Sequence, residues 1–340
     1  MGKAKHEKIL LAHGGGGRLS DELIRHHILP KFKNETLQQL TDSANLDLDS
    51  KSISFTTDSY VVKPLFFRGG DIGKLAVCGT VNDLAVAGSV PFAISVSLII
   101  EEGLEIEILE NILSSIGKSA KENKVEIVAG DTKTVEAGAI DKIFINTAGI
   151  GVRIDGVELG FDKIQPGDVI IINGPIGDHG MAIMSQREGL EFETHLESDC
   201  AGLGNLICTL LKEVDGVKFM RDPTRGGLAA TLNEMTRGCN LRIEIREADI
   251  PVRPAVRAAS EMLGFDVLNI ANEGKFATVV APEHAEAFLT LCKKDPLGKE
   301  ASVIGEVVST KDGPLVEMVT KIGGRRIVQM PYGRELPRIC

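Results

Sequence analysis

At 340 residues the chain is too long for one ordinary core and reads as two domains, and its 43% hydrophobic and 25% charged residues exclude a disordered polymer. A formal net charge of −10, no Trp and only two Tyr exclude a nucleic-acid partner, since neither a basic field nor a stacking platform is present. No uninterrupted apolar run reaches membrane-spanning length, so no membrane association is expected, while small anions bound locally remain compatible with the charge.

The opening stretch MGKAKHEKILLAHGGGG carries an apolar segment too short for a signal sequence. The six cysteines are scattered, without a CxxC pair or a neighbouring His to complete a zinc site, which indicates a reduced, cytoplasmic protein. Along the chain, Ser20 as N-cap, Asp21 and Glu22 in a first turn and Pro30 as a stop predict a short helix over 21–29. SISFTTDSYVV (52–62) reads as a strand, DIGKLAVCGTVNDLAVAG (71–88) as a helix ended by Gly, and FAISVSLII as the next strand. A helix over about 105–121 and strands VEIVAG and IFINTAGIGV complete a layered α/β unit spanning 1–155.

The Gly/Pro/Asp-rich stretch DGVELGFDKIQPGD leads into a second α/β unit, 156–330. Its predicted elements are strand VIIIN (169–173), a helix after Gly180, a helix near 226–238 and strand LRIEI, then a helix near 254–263, strands VLNI and FATVV, a helix near 283–293 and strand SVIGEVV. MPYGRELPRIC then reads as a mobile tail, 331–340, ending on a thiol, Cys340.

Several stretches carry candidate chemistry. HGGGGR (13–18) offers consecutive N–H groups that wrap an anion as a nest, or serves as a plain linker, and it fits no Walker A pattern. NGPIGDHG (173–180) lacks the glycine spacing of a dinucleotide fingerprint and reads as a tight strand–helix turn. Asp58 lies in the β-rich run and Asp131 directly after VEIVAG. Asp83 shares a helix face with Ile72, Ala76 and Gly79, where a carboxylate is costly unless its charge is compensated. Mg²⁺ suits that task, because it takes a few carboxylate oxygens and completes its shell with phosphate and water. The alternative is a cap or turn role for each Asp. Lys133 follows Asp131 by two residues, placed either for a phosphate or for solvent. In ANEGK, Glu273 stands between two predicted strands as a hairpin tip. RDPTRGG introduces a helix, with Asp222 as a cap and Arg221 and Arg225 able to hold an anion. For Cys340, the α-carboxylate raises the thiol pKa and Arg338 lowers it, so sequence neighbours leave the nucleophile weakly activated. Ten residues from Pro331 reach about 30 Å when extended, enough to swing between an outer position and an internal cleft.

On HGGGG, TTDSYVV, GGDIGKLAVCGTVNDLAVAGSVP, VAGDTKTV, DPTRGGL, ANEGK and the terminal PRIC, nearly the whole chain resembles the HypE family of hydrogenase maturation factors. That family lies in the aminoimidazole ribonucleotide synthetase-like (PurM-like) superfamily. The terminal motif is the most specific of these markers. LAHGGGGRLS lacks the Cys and Lys of the selenophosphate synthetase-like branch.

The resemblance implies a two-domain PurM-like α/β fold, a homodimer through the N-terminal sheets, and ATP bound without a P-loop. ATP contacts are implied for Gly14, Gly15, Gly16, Gly17, Asp58, Asn82, Asp83 and Asp131, with Asp58, Asp83 and Asp131 holding Mg²⁺. It further implies that a HypF-like carbamoyltransferase loads Cys340, that MgATP drives dehydration of the carbamoyl group to a thiocyanate, and that a HypC–HypD-like scaffold takes the cyanide for the iron of a [NiFe] hydrogenase. Glu273 is then the general base, and Lys133 neutralises phosphoryl charge or helps deprotonate the amide. Two other readings remain open: an ATP-dependent small-molecule synthetase or kinase with Cys340 incidental, and a non-catalytic carrier with a tail thiol. Only the dehydratase needs both Asp83 and Cys340.

Overall fold

Alternating exposure along Ile53–Tyr60 marks a strand with one wet face, and this strand, β1, forms one edge of a four-stranded sheet. The structure, a computed structural model, describes residues 8–10, 13, 22–32, 34, 52–189, 196–311, 313–331 and 338–340. After β1 come α1 (Ile72–Val86), β2 (Ser89–Glu101), α2 (Ile106–Glu122), β3 (Glu126–Val135) and β4 (Ile143–Arg153). The sheet order is β1-β4-β2-β3, with β2 and β3 parallel and the other neighbours antiparallel.

Both helices lie on one face of that sheet. Asp71 caps α1 by accepting from the N–H groups of Gly73 (2.7 Å) and Lys74 (3.1 Å). α1 is buried on nearly every side, as its run of small and aliphatic residues demands. α2 is amphipathic and turns Leu109, Ile112, Leu113 and Ile116 inward. Among the described residues no helix lies over the opposite sheet face, and Ile53, Phe55, Phe92 and Ile99 stand exposed, Phe55 at 67%. Upstream, a π-type helical turn (Ile24–Ile28) runs into an α-helical turn (Leu29–Phe32). Pro30 therefore does not stop the helix: it lies inside the continuous helical run 22–32, directly after the π-type turn that interrupts the regular hydrogen-bond ladder. Ser20 and Asp21 lie outside the described residues.

In the second half the isoleucines of VIIIN explain the layering. Ile170 and Ile172 pack with Leu228 and Leu232, whereas Ile171 packs with Leu206, Leu210 and Phe276, so this strand is buried on both faces. It is β5 (Val169–Ile172), followed by α3 (Asp178–Arg187), α4 (Gly204–Glu213), β6 (Val217–Arg221), α5 (Gly227–Cys239), β7 (Arg242–Arg246), α6 (Pro254–Leu263), β8 (Ala277–Val280), α7 (Ala285–Cys292), β9 (Ser302–Val308), β10 (Val316–Val319) and β11 (Arg325–Val328). The seven strands run β11-β10-β7-β9-β5-β8-β6, antiparallel except for β7 beside β10.

Two local expectations are corrected. VLNI is a 3-10 turn, Val267–Asn269, because the Asp266 carboxylate accepts the Leu268 N–H (3.0 Å) and starts a turn that outweighs β-propensity. α3 begins at Asp178, before Gly180, on the left-handed Gly177. α4, β6, β10 and β11 were not expected from the sequence. No described helix is long and apolar enough to cross a membrane, and all six cysteines are free.

Candidate active site

β1 and α1 build one wall of a cleft between the two halves. Asp58 sits opposite Thr147 on β4, and the Thr147 hydroxyl meets Thr80 of α1 at 2.5 Å, so this row of the sheet faces the helix. Two residues earlier on the same face, Thr56 donates to Asp83 Oδ2 at 2.8 Å. Burial pushes the Asp83 pKa up, the Thr56 hydrogen bond opposes this, the charge of Asp58 adds to it, and Arg221 draws it down. From the opposite wall come Arg221, the last residue of β6, and Asp222 and Arg225 in the loop before α5. That helix starts on Gly226 without a side-chain cap, so Asp222 is no cap. Burial and then the charge of Asp83 push Asp222 up to about 7.

Glu273 is not a hairpin tip. It is 3% exposed, in the buried segment 271–275, which three asparagines staple in place. Asn272 accepts the Gly177 N–H (2.7 Å) and donates to Pro223 O (2.8 Å). Asn173 accepts the Phe276 N–H (2.8 Å) and donates to Gly274 O (3.3 Å). Asn82 donates to Glu273 O (3.5 Å) and Ala201 O (3.1 Å) and accepts the Leu203 N–H (2.7 Å). Beneath the segment, Asp199 accepts the Glu273 N–H (3.0 Å) and pairs with Lys275 (3.0 Å). Burial works to raise the Asp199 pKa, but the charge of Lys275 above all holds it below the usual range. A Cβ at Gly274 would collide with the Asp199 carbonyl, so only glycine lets the two segments approach this closely. Glu273 Oε1 has no hydrogen-bond partner, and burial followed by the charges of Asp222, Asp199 and Asp58 pushes its pKa well above the carboxylate range.

The chain terminus is docked into this cleft. Arg338 donates to Val61 O (3.0 Å) and Asp141 (2.8 Å), and its guanidinium lies over Phe144, 5.8 Å from the ring centroid. Its carbonyl accepts from Lys63 N (3.1 Å) and from Arg187. The Ile339 side chain is buried in the N-terminal core, and its carbonyl meets His179. The Cys340 thiol sits by Glu273. Burial, then the charge of Glu273, pushes its pKa far up, while Arg225 pulls it down. Arg338, expected to lower the thiol pKa, is engaged with Asp141, and Arg225 is the cation acting on the sulfur.

The structure thus brings Asp58, Asp83, Glu273 and Cys340 together. It does not bring Asp131 and Lys133 to them within one chain. Asp131 is level with Ser97 on β2, which is level with Asn146 and then Ser59, one residue on from the Asp58 row. Asp131 therefore points to the opposite sheet face, on the far edge, about 14 Å away across three strand spacings. Lys133 pairs with it at 3.6 Å, both side chains exposed. The Asn82 amide is occupied at the domain junction. Gly14, Gly15, Gly16 and Gly17 lie outside the described residues. Among the described residues no group of three or more His, Cys, Asp or Glu is arranged to hold a metal by itself. Asp58, Asp83 and Asp222 nevertheless form an all-oxygen set whose mutual repulsion Arg221 and Thr56 offset only in part, which fits a hard divalent cation that also carries phosphate and water ligands. Nothing in the sequence marked Asp199 or His179, because their partners are distant in the chain.

A family model described as AIR synthase related protein, N-terminal domain, matches residues 40–153, and the corresponding C-terminal domain model matches residues 165–316. The carbamoyl dehydratase HypE of Rhizobium leguminosarum bv. viciae is 49% identical to this chain, over 98% of this chain and 95% of that protein. A crystal structure of hydrogenase maturation protein HypE in complex with ATP aligns with a TM-score of 0.94 at 45% identity, covering 97% of this chain and 99% of the other. One of a HypE–HypF complex aligns at 0.80 and 46% identity, covering 93% and 100%. With two AIR synthase related domains and close to half of its residues shared over nearly full length, this chain belongs to the carbamoyl dehydratase HypE family.

Proposed function

We propose that this protein dehydrates a carbamoyl group carried on Cys340 to a thiocyanate at the expense of ATP, for the cyanide ligands of a [NiFe] hydrogenase. The observation that carries the reading is the terminal thiol, seated against a buried glutamate whose Oε1 is unpartnered, in a carboxylate-lined cleft. Asp58 and Asp83, with Asp222 beside them, would hold Mg²⁺ and through it the triphosphate. Bound MgATP supplies the phosphoryl group and neutralises the repulsion among these carboxylates. The amide oxygen of Cys–S–C(=O)–NH₂ takes the γ-phosphoryl group as one N–H proton leaves. Loss of the second N–H proton and of phosphate then gives Cys–S–C≡N.

Glu273 has the position to receive such a proton. Burial first and the neighbouring charges second favour its protonated form at rest, and a cation held by Asp58 and Asp222 would relieve the second of these causes. The docked thiol is likewise held as a thiol, unsuited to nucleophilic attack, so loading by a HypF-like carbamoyltransferase belongs to an undocked tail. A HypE–HypF complex among the relatives supports that partner. A HypC–HypD-like scaffold is the acceptor. Asp131 and Lys133 stand on the uncovered sheet face, so their part in ATP binding and proton transfer requires a homodimer through that face. The free cysteines fit a reducing cytoplasm.

Intact-protein mass spectrometry tests the reading, with the chain, a carbamoyltransferase, carbamoyl phosphate, ATP and Mg²⁺. The expected result is gain of one carbamoyl group, then loss of one water only when ATP is present, with neither change in Cys340→Ala. Glu273→Gln, an isostere of the protonated acid, loads normally and loses water at least about a hundredfold more slowly. A wild-type tail that stays unmodified beside an active carbamoyltransferase overturns the mechanism.

A further inference from the structure

His179 takes no part in the acidic cleft, yet it is wholly buried and both ring nitrogens are engaged. It is the second residue of α3. Nε2 lies 2.6 Å from the Ile339 carbonyl and Nδ1 lies 2.8 Å from Ser198 Oγ. A carbonyl only accepts, so Nε2 carries the hydrogen. The Cys200 N–H donates to Ser198 Oγ at 3.0 Å, which leaves the Ser198 hydroxyl hydrogen for Nδ1. One neutral tautomer satisfies every group in this chain of hydrogen bonds. Phe67 meets the imidazole edge-on, centroids 5.5 Å apart, and fixes the ring plane.

The same helix start is tied to the Glu273 segment. Gly177 N–H reaches Asn272 Oδ1 at 2.7 Å and Gly180 N–H reaches Ala271 O at 3.1 Å. The ring therefore spans from the support of the base to the carbonyl one residue before the thiol. We propose that His179, fixed in its Nε2–H tautomer by Ser198, is the positioning residue that seats the chain terminus and sets the Cys340 sulfur against Glu273. The proposal rests on the dehydratase reading for its catalytic consequence but not for the seat itself. Misplacing a reacting group by about 1 Å costs on the order of a hundredfold in rate, so the seat matters to dehydration although His179 never touches the carbamoyl group.

The test uses the full chain with His179→Ala, His179→Asn and His179→Gln and two readouts. One is the rate at which iodoacetamide alkylates Cys340, read by peptide mass spectrometry with Cys208 and Cys239 as internal controls. The other is single-turnover water loss from pre-carbamoylated protein. The Ala and Asn variants are expected to alkylate at Cys340 about tenfold faster and to dehydrate about a hundredfold more slowly. Gln places its amide nitrogen near the Nε2 position and restores most of both, with ATP affinity unchanged throughout. If Ala does not fold, Ser198→Ala serves in its place: it keeps the ring, releases the tautomer and is expected to loosen the seat partway. A folded Ala variant with wild-type protection and turnover overturns the proposal, as does equal impairment of Asn and Gln, which would make His179 a core filler. If wild type never loses water but the alkylation order holds, the dehydratase reading fails and the seat stands.

Discussion

A carboxylic acid and a thiol, both held protonated, face each other at the inner end of the cleft, and each is kept so by burial together with nearby negative charge. The same physics acts at Asp178, directly before His179. Burial, then the charge of Asp199, pushes Asp178 up to about 6 against the pull of Lys275 and of Arg253, its partner at 3.0 Å. The folded protein thus binds this proton more tightly than the unfolded chain does. Stability from the group is complete below the ordinary carboxylate value of 3.8 and is lost as the pH rises to about 6. Asp178→Asn keeps an oxygen for Arg253 and cannot ionise. In thermal melts from pH 4 to 8 its advantage over wild type should open between pH 4 and 6, reach on the order of 2 kcal/mol, and stay flat above. A gap that is constant with pH would refute this account.

At the scale of elements, the pairing of β1 with α1 decides whether Asp58 and Asp83 meet. Gly79 lets the helix lie directly on Tyr60: a Cβ there would press into the phenol ring and its hydroxyl. Gly79→Ala is expected to cost about 1–3 kcal/mol in urea unfolding and to weaken MgATP binding, because the helix must back away from the strand. Much of this was legible in the sequence. The periodicity marked β1, α1, α6 and β9, and a carboxylate on the apolar stripe of α1 pointed to a compensated charge. Strand content did not reveal which way each side chain faces, and for that reason Asp131 read as a neighbour of Asp58 when the register puts it on the other side. α4 passed unnoticed, although Leu206, Ile207, Leu210 and Leu211 follow a helical spacing. Glu273 was legible as a residue but not as a buried one, since its seat is made largely by Asn82, Asn173 and Asp199 from three other places in the chain.

For the whole molecule, the uncovered sheet face is the feature that a single chain leaves unfinished. Phe55, Phe92 and Ile99 share it with Asp131 and Lys133, so a second copy laid there buries the apolar residues and introduces its own acid and cation. Phe55→Glu places a charge in the middle of that proposed homodimer contact. Analytical ultracentrifugation should then find a monomer, and water loss should fail while Cys340 stays protected from alkylation. A dimer that survives the substitution would move the interface elsewhere.

Glu273 and Arg225 stand beside the sulfur, but the rest of the grip comes from the Arg338 and Ile339 carbonyls, the Arg338 side chain and the buried Ile339 side chain, which do not touch it. That part of the grip is the same for the substrate and product forms of the tail, so under the proposed function chemistry alone leaves the tail seated. Because the seat and its occupant belong to one chain, an acceptor has to outcompete an effective local concentration on the order of millimolar. Under the proposed function, delivery would then follow the affinity and abundance of whatever captures the tail, and the group would be handed over on demand instead of being lost to solvent.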